Sequence, residues 1–294
     1  MKGIILAGGL GTRLKPITEI ICKQLLPVYD KPMIHYPLST LINIGIRDIM
    51  IISTPNDTPY IQKTLQNGSK YGINISYAIQ DKPNGIAEAF IIAKDFIKND
   101  SVCLILGDNI FYGSIFNQIN FKVFFNKIKK NENEAVIFAY RVSDPQRYGV
   151  VELESNGNFA KTIEEKPLNP KSNWAVTGIY LYNNSVIKYA QQLKPSKRQE
   201  LEITDINQIY LQRGKLAVVK LDRAVAWLDA GTHDSLLEAS NFVHTIEKRQ
   251  GLKIACLEEV AFNNKLIGKK ELEEIISQYS KDQNYQEYLK KIIN

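Results

Sequence analysis

KGIILAGGLGTRL, residues 2–14, decides how the rest of the chain is read. Ile4, Ile5, Leu6 and Ala7 run without a polar break into Gly8, Gly9 and Gly11, and Thr12 and Arg13 follow at once. A short apolar run ending in glycines reads as a buried strand that opens into a loop of bare backbone. N–H groups in such a loop can approach an anion closely, which makes it a candidate phosphate cradle. Arg13 brings a planar fork of donors to the same place. The dinucleotide fingerprint GxGxxG is not met, because Thr12 and Arg13 follow Gly11 with no closing glycine after them, and no GK[ST] follows to make a Walker loop.

Outward from the loop, Pro16 and Pro27 bracket an irregular segment that carries Lys23 and Gln24. Apolar runs at residues 48–54, 75–80, 102–108 and 135–142 are expected strands. Residues 32–43, 59–66, 86–97 and 116–130 are expected helices, the first with Pro32 in its opening turn. Strands alternating with helices this regularly imply crossover units on a parallel sheet. Beyond residue 142, GVVELE, FAKTIEEKP and NWAVTGIYLYN are shorter runs separated by turn residues, which reads as an added antiparallel layer. Thr204 is placed to cap a helix over 205–212, residues 216–222 and 225–231 read as strands, and 234–250 as a long helix. The tail, 269–294, is amphipathic, with Leu272, Ile275, Ile276 and Tyr279 along one stripe. Either the body or a second subunit would cover that stripe.

The expected fold is therefore α/β: a Rossmann-like, mostly parallel mixed sheet flanked by helices, with an antiparallel layer and a helical C-terminal appendage. The body is expected over 1–240, with a nucleotide-binding part at about 1–115 and a second part at 116–240, and the appendage over 241–294. No internal repeat or low-complexity linker divides the chain.

The bulk composition narrows the classes. With 294 residues, 44% apolar and 23% charged, the chain has the make-up of a globular protein large enough to bury a core without staples. Its 37 basic and 31 acidic side chains give +6, but the basic residues are scattered, so nucleic acid is not an expected partner. Cys22, Cys103 and Cys256 form no CxxC or Cys/His cluster, which reads as reduced thiols of a cytoplasmic protein. The N-terminal apolar run is too short for a signal-peptide core, and no run of about 20 apolar residues offers a membrane span. His35, His233 and His244 have neither metal spacing nor an apparent nucleophile partner, and His35 is expected to pack in the helix after Pro32.

Two aspartates stand at strand ends, Asp108 in LGDN and Asp229 in WLDAG. Ligands of open parallel sheets sit beyond the carboxyl ends of the strands. Two carboxylates there suit Mg²⁺, which takes a few protein oxygens and keeps phosphate and water ligands, although turn aspartates that bond their own backbone look the same in sequence. Glu165 and Lys166, in EEKP, read alone as a solvated turn; Lys166 is a compact point charge suited to a phosphate oxygen. Trp227 precedes Asp229 by two residues, so on a strand both point to one face.

LAGGLGTRLKP resembles the signature of the sugar-nucleotide pyrophosphorylase family. KQLLPVYDKPMIHYPLSTL, LGDNIFYG, RYGVVE, EEKPLNPKSNWAVTGIYLY, ELEITD and WLDAGTHDSLLEAS extend the resemblance over nearly the whole chain, and they look more like its thymidylyl branch than its uridylyl or adenylyl branches. Two departures are Leu10, where relatives commonly carry serine, and Gln199, where a glycine often precedes ELEITD. The resemblance implies a nucleotidyltransferase fold and a Mg²⁺-dependent reaction of dTTP with glucose 1-phosphate that gives dTDP-glucose and pyrophosphate, on a route to dTDP-deoxysugars such as dTDP-rhamnose. It implies Arg13, Lys23, Lys166, Asp108 and Asp229 as catalytic, the two aspartates as metal ligands. It places Leu6, Gly8, Gly9, Gly11, Thr12, Arg13, Lys23, Gln24, Gln80, Pro83 and Gly85 around the nucleotide. Asn109, Tyr148, Gly149, Glu165, Lys166, Val176, Thr204 and Trp227 fall around the sugar phosphate. It also implies a homotetramer and inhibition by a deoxysugar nucleotide at a second site. A UTP-using relative and a silent nucleotide-sugar sensor on the same fold remain alternatives.

Overall fold

The computed structural model describes residues 1–113, 121–130, 134–154, 159–279 and 283–293. Its axis is β1 (Lys2–Ala7), which pairs in parallel with β4 (Asp48–Ser53) on one side and β6 (Val102–Leu106) on the other. β5 (Asn74–Ile79) extends the parallel half beyond β4. On the far side β11 (Trp174–Tyr182) runs antiparallel to β6 and to β8 (Ala135–Arg141), and β12 (Leu216–Lys220) lies parallel to β8. β9 (Gly149–Leu153) and β10 (Ala160–Glu165) form the antiparallel edge. Two ribbons stand apart from this nine-stranded sheet: β2 (Pro27–Val28) with β3 (Lys31–Pro32), and β7 (Asn109–Gly113) with β13 (Val225–Asp229).

The described helices are α1 (His35–Asn43), α2 (Thr58–Leu65), α3 (Glu88–Ile92), α4 (Lys94–Ile97), α5 (Phe121–Lys129), α6 (Ser185–Gln192), α7 (Ile203–Gln212), α8 (His233–Gln250), α9 (Leu257–Asn263), α10 (Lys269–Gln278) and α11 (Gln283–Ile293). Alternation along β1 explains the layering. Ile5 and Ala7 enter a core with Leu38 and Leu41 of α1, while Ile4 enters a core on the opposite face with Phe90 and Tyr182. Each such aliphatic side chain, fully buried, contributes about 1.5–3 kcal/mol. The stripe Leu272, Ile275 and Ile276 of α10 is buried in the same core as Leu38, so the chain's own body covers it.

Several local expectations shift. Pro32 belongs to β3 and α1 begins at His35, because Met33 and Ile34 donate back to Leu26 and Gln24 and complete the ribbon before the helix starts. The apolar stretch 86–97 is two short helices that part at Ala93. Strand β6 stops at Leu106, so Asp108 lies in the turn into β7, a strand that follows too closely on β6 to stand out in the sequence. Thr204 caps nothing: Glu202 precedes α7, and the Thr204 hydroxyl instead donates to Glu165 Oε2 at 2.5 Å. Of the helix expected over 116–130, residues 116–120 lie outside the described residues, as do 280–282 and 294 of the tail. Helix α8 runs unbroken across residue 240.

Candidate active site

Beyond Leu106 the chain turns at Gly107 and Asp108 and enters β7, whose partner β13 ends on Asp229. The register sets Asp229 opposite Asn109 and Trp227 opposite Phe111, which delivers both aspartates to one cleft. Trp227 and Asp229 do share a face of β13, and both line a cavity of about 210 Å³. Arg13, Asp108, Asn109, Tyr148, Gly149, Glu165, Lys166, Val176 and Thr204 line it too.

The electrostatics inside are uneven. Burial works against the charged form of Asp108, but the Lys23 ammonium ion-pairs with it and Asn109 Nδ2 donates to it at 2.9 Å, so its carboxyl is held below the usual range. Burial pushes Asp229 the other way, and the like charge of Asp108 adds to the shift. Burial likewise raises Glu165, although Thr204 donates to it and Lys166 and Arg198 each stand 3.9 Å away. The Tyr148 hydroxyl is pushed up to about 12 by burial and by Asp229, so it serves as a neutral hydrogen-bonding group.

Asn109 is tied to its neighbours. It is 2% exposed, its Oδ1 accepts from Trp227 Nε1 at 2.6 Å and Gly178 N at 3.0 Å, and its Nδ2 gives one of its two N–H groups to Asp108. Lys166 follows the last residue of β10 with φ +42°, in the left-handed region, and its N–H donates to Tyr148 O. Strain of this kind persists where the surroundings fix a side chain in place.

The glycine loop opens on a second cavity of about 430 Å³, lined by Leu6, Gly9, Gly11, Thr12, Arg13, Lys23, Gln24 and Pro83. Gly11 sits at φ +62°, and its carbonyl accepts from Thr18 Oγ1 at 2.8 Å, which ties the loop to the segment leading to Lys23. Arg13, Ile86, Leu106 and Asp108 line both cavities, so the two halves of the cleft meet there. Gly8, Gln80 and Gly85 border these cavities without lining them: Gln80 is 4% exposed, and Gly85 packs on the backbone of Leu201.

The cleft also contains residues the sequence reading passed over. Arg147 and Asn207 line the smaller cavity, and Glu200 and Gly231 the larger. Arg198 pairs with Glu200 and Glu202 at 2.6 and 3.1 Å, besides its approach to Glu165. Lys197, Glu200 and Glu202 surround it in KRQELE, so only the fold separates it from a solvated charge run. Gln199 beside it adopts φ +62°, the backbone that glycine takes most easily, at the position where the sequence departs from its resemblance. Leu10, the other departure, is exposed at the mouth of the larger cavity.

Two carboxylates facing one cavity, with Asp229 disfavoured as an anion by burial and then by its neighbour, are hard oxygen donors suited to a divalent cation. Among the described residues no group of three or more His, Cys, Asp or Glu side chains is arranged to hold a metal ion, so a cation held by these two would complete its shell with phosphate and water. Among the described residues, too, no helix is long and apolar enough to cross a membrane.

The family model described as nucleotidyl transferase matches residues 2–246. A glucose-1-phosphate thymidylyltransferase of Neisseria meningitidis is 54% identical over 294 residues, covering 100% of this chain and 99% of the relative. One from Mycobacterium tuberculosis is 56% identical over 262 residues, covering 89% of this chain and 88% of the relative. A solved chain from Bacillus anthracis assigned to the same activity, crystallised with sucrose, superposes with a TM-score of 0.74 at 44% identity, over 82% of this chain and 94% of that one.

Proposed function

The chain belongs to the nucleotidyl transferase family and is a nucleotidyltransferase, and from that premise we propose that it transfers the thymidylyl group of dTTP to glucose 1-phosphate. The carrying observation is that the glycine-loop cavity and the Glu165–Lys166 cavity meet over Arg13 and Asp108. A triphosphate in the first and a sugar phosphate in the second would bring their reacting atoms together at that junction.

The reaction is an in-line displacement. An oxygen of the sugar phosphate forms a bond to the α-phosphorus of dTTP, the bond to the β-phosphate breaks, and pyrophosphate leaves with its electron pair. The nucleophile is already an anion, so no general base is needed. The obstacle is repulsion between two polyanions, the sugar phosphate alone carrying about −1.5 to −2. The chain opposes it by position and by charge. Lys166 faces the sugar phosphate, Arg13 and Lys23 the triphosphate, and the N–H groups from Gly8 to Thr12 cradle the departing phosphates. Glu165, with the Gly149 backbone and Thr204 beside it, holds sugar hydroxyls. Asp108 and Asp229 would hold Mg²⁺, which when bound neutralises phosphate charge. Gln80 and Gly85 read the base.

The reading carries further expectations. It sets the enzyme among the charged metabolites of the cytoplasm, as a homotetramer of a catalytic body over 1–240 and an appendage over 241–294, inhibited by a dTDP-deoxysugar at a second site. Burying the thymine methyl contributes only about 0.8 kcal/mol, so UTP should be used less well rather than refused. The deciding experiment is pyrophosphate release across a matrix of four nucleotides and several sugar 1-phosphates with Mg²⁺. Strongest turnover with dTTP and glucose 1-phosphate is expected. A clear preference for UTP, or no release with any pair, would overturn the reading.

A further inference from the structure

Gln80 ends the run after β5, and both of its amide N–H donors are taken up by partners within the chain. Nε2 lies 3.2 Å from the carbonyl of Gly85 and 2.8 Å from Glu88 Oε2. A carbonyl and a carboxylate have only lone pairs to offer, so the nitrogen of the amide must face them whichever way the group is first drawn. The oxygen is thereby turned the other way. Oε1 lies against Gly8, where a Cβ would stand 2.2 Å from it, and it accepts no hydrogen bond among the described residues. A side chain only 4% exposed is thus left with one free polar atom, beside the loop that opens the nucleotide cavity.

We propose that Glu88 is the positioning residue for base selection: its carboxylate fixes the direction of the Gln80 amide, so that the site offers the base an acceptor and no donor at this point. Glu88 does not line either cavity of the cleft. It is half-buried at the start of α3, where its second oxygen accepts from Asn84 Nδ2 at 2.8 Å. The same carboxylate therefore holds both Gln80 and the turn that carries Gly85. The ligand chemistry follows. Thymine and uracil bring an N3–H to a lone acceptor, whereas cytosine brings a lone pair at N3 and is repelled. An amide free to turn would accept either class. Gln80 cannot both donate and accept here, so a second group must supply any donor to the ring carbonyls.

The inference rests on the proposed use of dTTP, and its test separates the two. Wild type, Glu88→Leu and the isosteric Glu88→Gln are assayed with dTTP, dUTP and dCTP at saturating glucose 1-phosphate, and the binding of the three nucleotides alone is measured by calorimetry. A hydrogen bond to a charged partner is worth enough that Glu88→Leu should lower the dTTP/dCTP ratio of kcat/KM by about 10-fold or more. Glu88→Gln, which keeps one acceptor, should fall between the two. The dTTP/dUTP ratio and the KM for glucose 1-phosphate should stay as in wild type, which a general loosening of the fold would not allow. An unchanged dTTP/dCTP ratio in Glu88→Leu, or in Glu88→Gln if the leucine variant does not fold, overturns the proposal. So does a parallel loss for all three nucleotides and the sugar phosphate. Absence of turnover in wild type would instead sink the functional reading, while the binding ratios would still decide the part played by Glu88.

Discussion

The indole nitrogen of Trp227 donates to Asn109 Oδ1 across 2.6 Å, and the amide nitrogen of that same Asn109 donates to Asp108 at 2.9 Å. A tryptophan on β13 thus sets the direction of a carboxylate in the turn before β7. Its ring is held between Tyr140 and Tyr148, at centroid distances of 5.8 and 5.1 Å. Trp227→Phe should keep that packing and lose the donor. The expected stability cost is about 1–2 kcal/mol, typical of one buried hydrogen bond. Asp108 would be less firmly aimed, so half-maximal activity should require more Mg²⁺ and turnover should fall about 10-fold. Denaturant unfolding and a Mg²⁺ titration measure the two effects; an unmoved Mg²⁺ midpoint would count against the chain of contacts.

Lys166 allows charge and backbone to be separated. Its φ of +42° disfavours any side chain with a Cβ. Lys166→Ala and Lys166→Gly should both raise the KM for glucose 1-phosphate far more than the KM for dTTP. The glycine variant should nevertheless be the more stable of the two, by about 1 kcal/mol. Thermal unfolding beside steady-state kinetics checks both halves. A larger effect on dTTP would remove Lys166 from the sugar phosphate.

Gly231 lies where Arg13 and Asp229 come together. A Cβ there would stand 2.8 Å from Asp229 Oδ1 and 3.0 Å from Arg13 Nη2. Gly231→Ala should therefore displace two groups of the cleft with little change in the core. A fall in kcat of about 10–100-fold with a nearly unchanged unfolding midpoint is expected, the range for misplacing catalytic groups. Wild-type kcat in this variant would show that the cleft tolerates the methyl.

His35, in the first turn of α1, gives a pH signature. Burial lowers its pKa to about 4, with the nearby charges of Lys31 and Lys70 in the same direction and Glu258 opposed. The folded state therefore resists a proton that the unfolded chain accepts near 6.5. This contribution to stability is intact above about pH 6.5 and is lost as the pH falls toward 4, by roughly 2–3 kcal/mol over that window. His35→Gln should flatten this part of the stability profile relative to wild type. Denaturant unfolding at pH 7, 6, 5 and 4 reads the difference; parallel profiles would place His35 outside the effect.

Much of this was legible without coordinates. The glycine loop could be placed because an apolar run and its glycines are neighbours in sequence, and β1 ends at Ala7 as those residues require. The alternation that sends Ile4 and Ile5 to opposite cores is likewise local. Thr204 shows the limit. Its position before a polar–apolar repeat reads as a cap, yet its hydroxyl faces Glu165, a partner remote in the chain.

The sequence by itself determined the strand–loop motif, the alternation of strands and helices, and the residue types that a phosphate-handling cleft needs, because these depend on backbone preferences and spacing between neighbours. The tertiary structure alone decided how remote pieces meet. It paired β7 with β13 and so drew Asp108 and Asp229 to one cavity. It buried the stripe of α10 against the chain's own core. It also turned the nitrogen of Gln80 toward Glu88. Strand register, burial and the direction of an amide are set by partners across space, whose energies no single stretch of the chain contains.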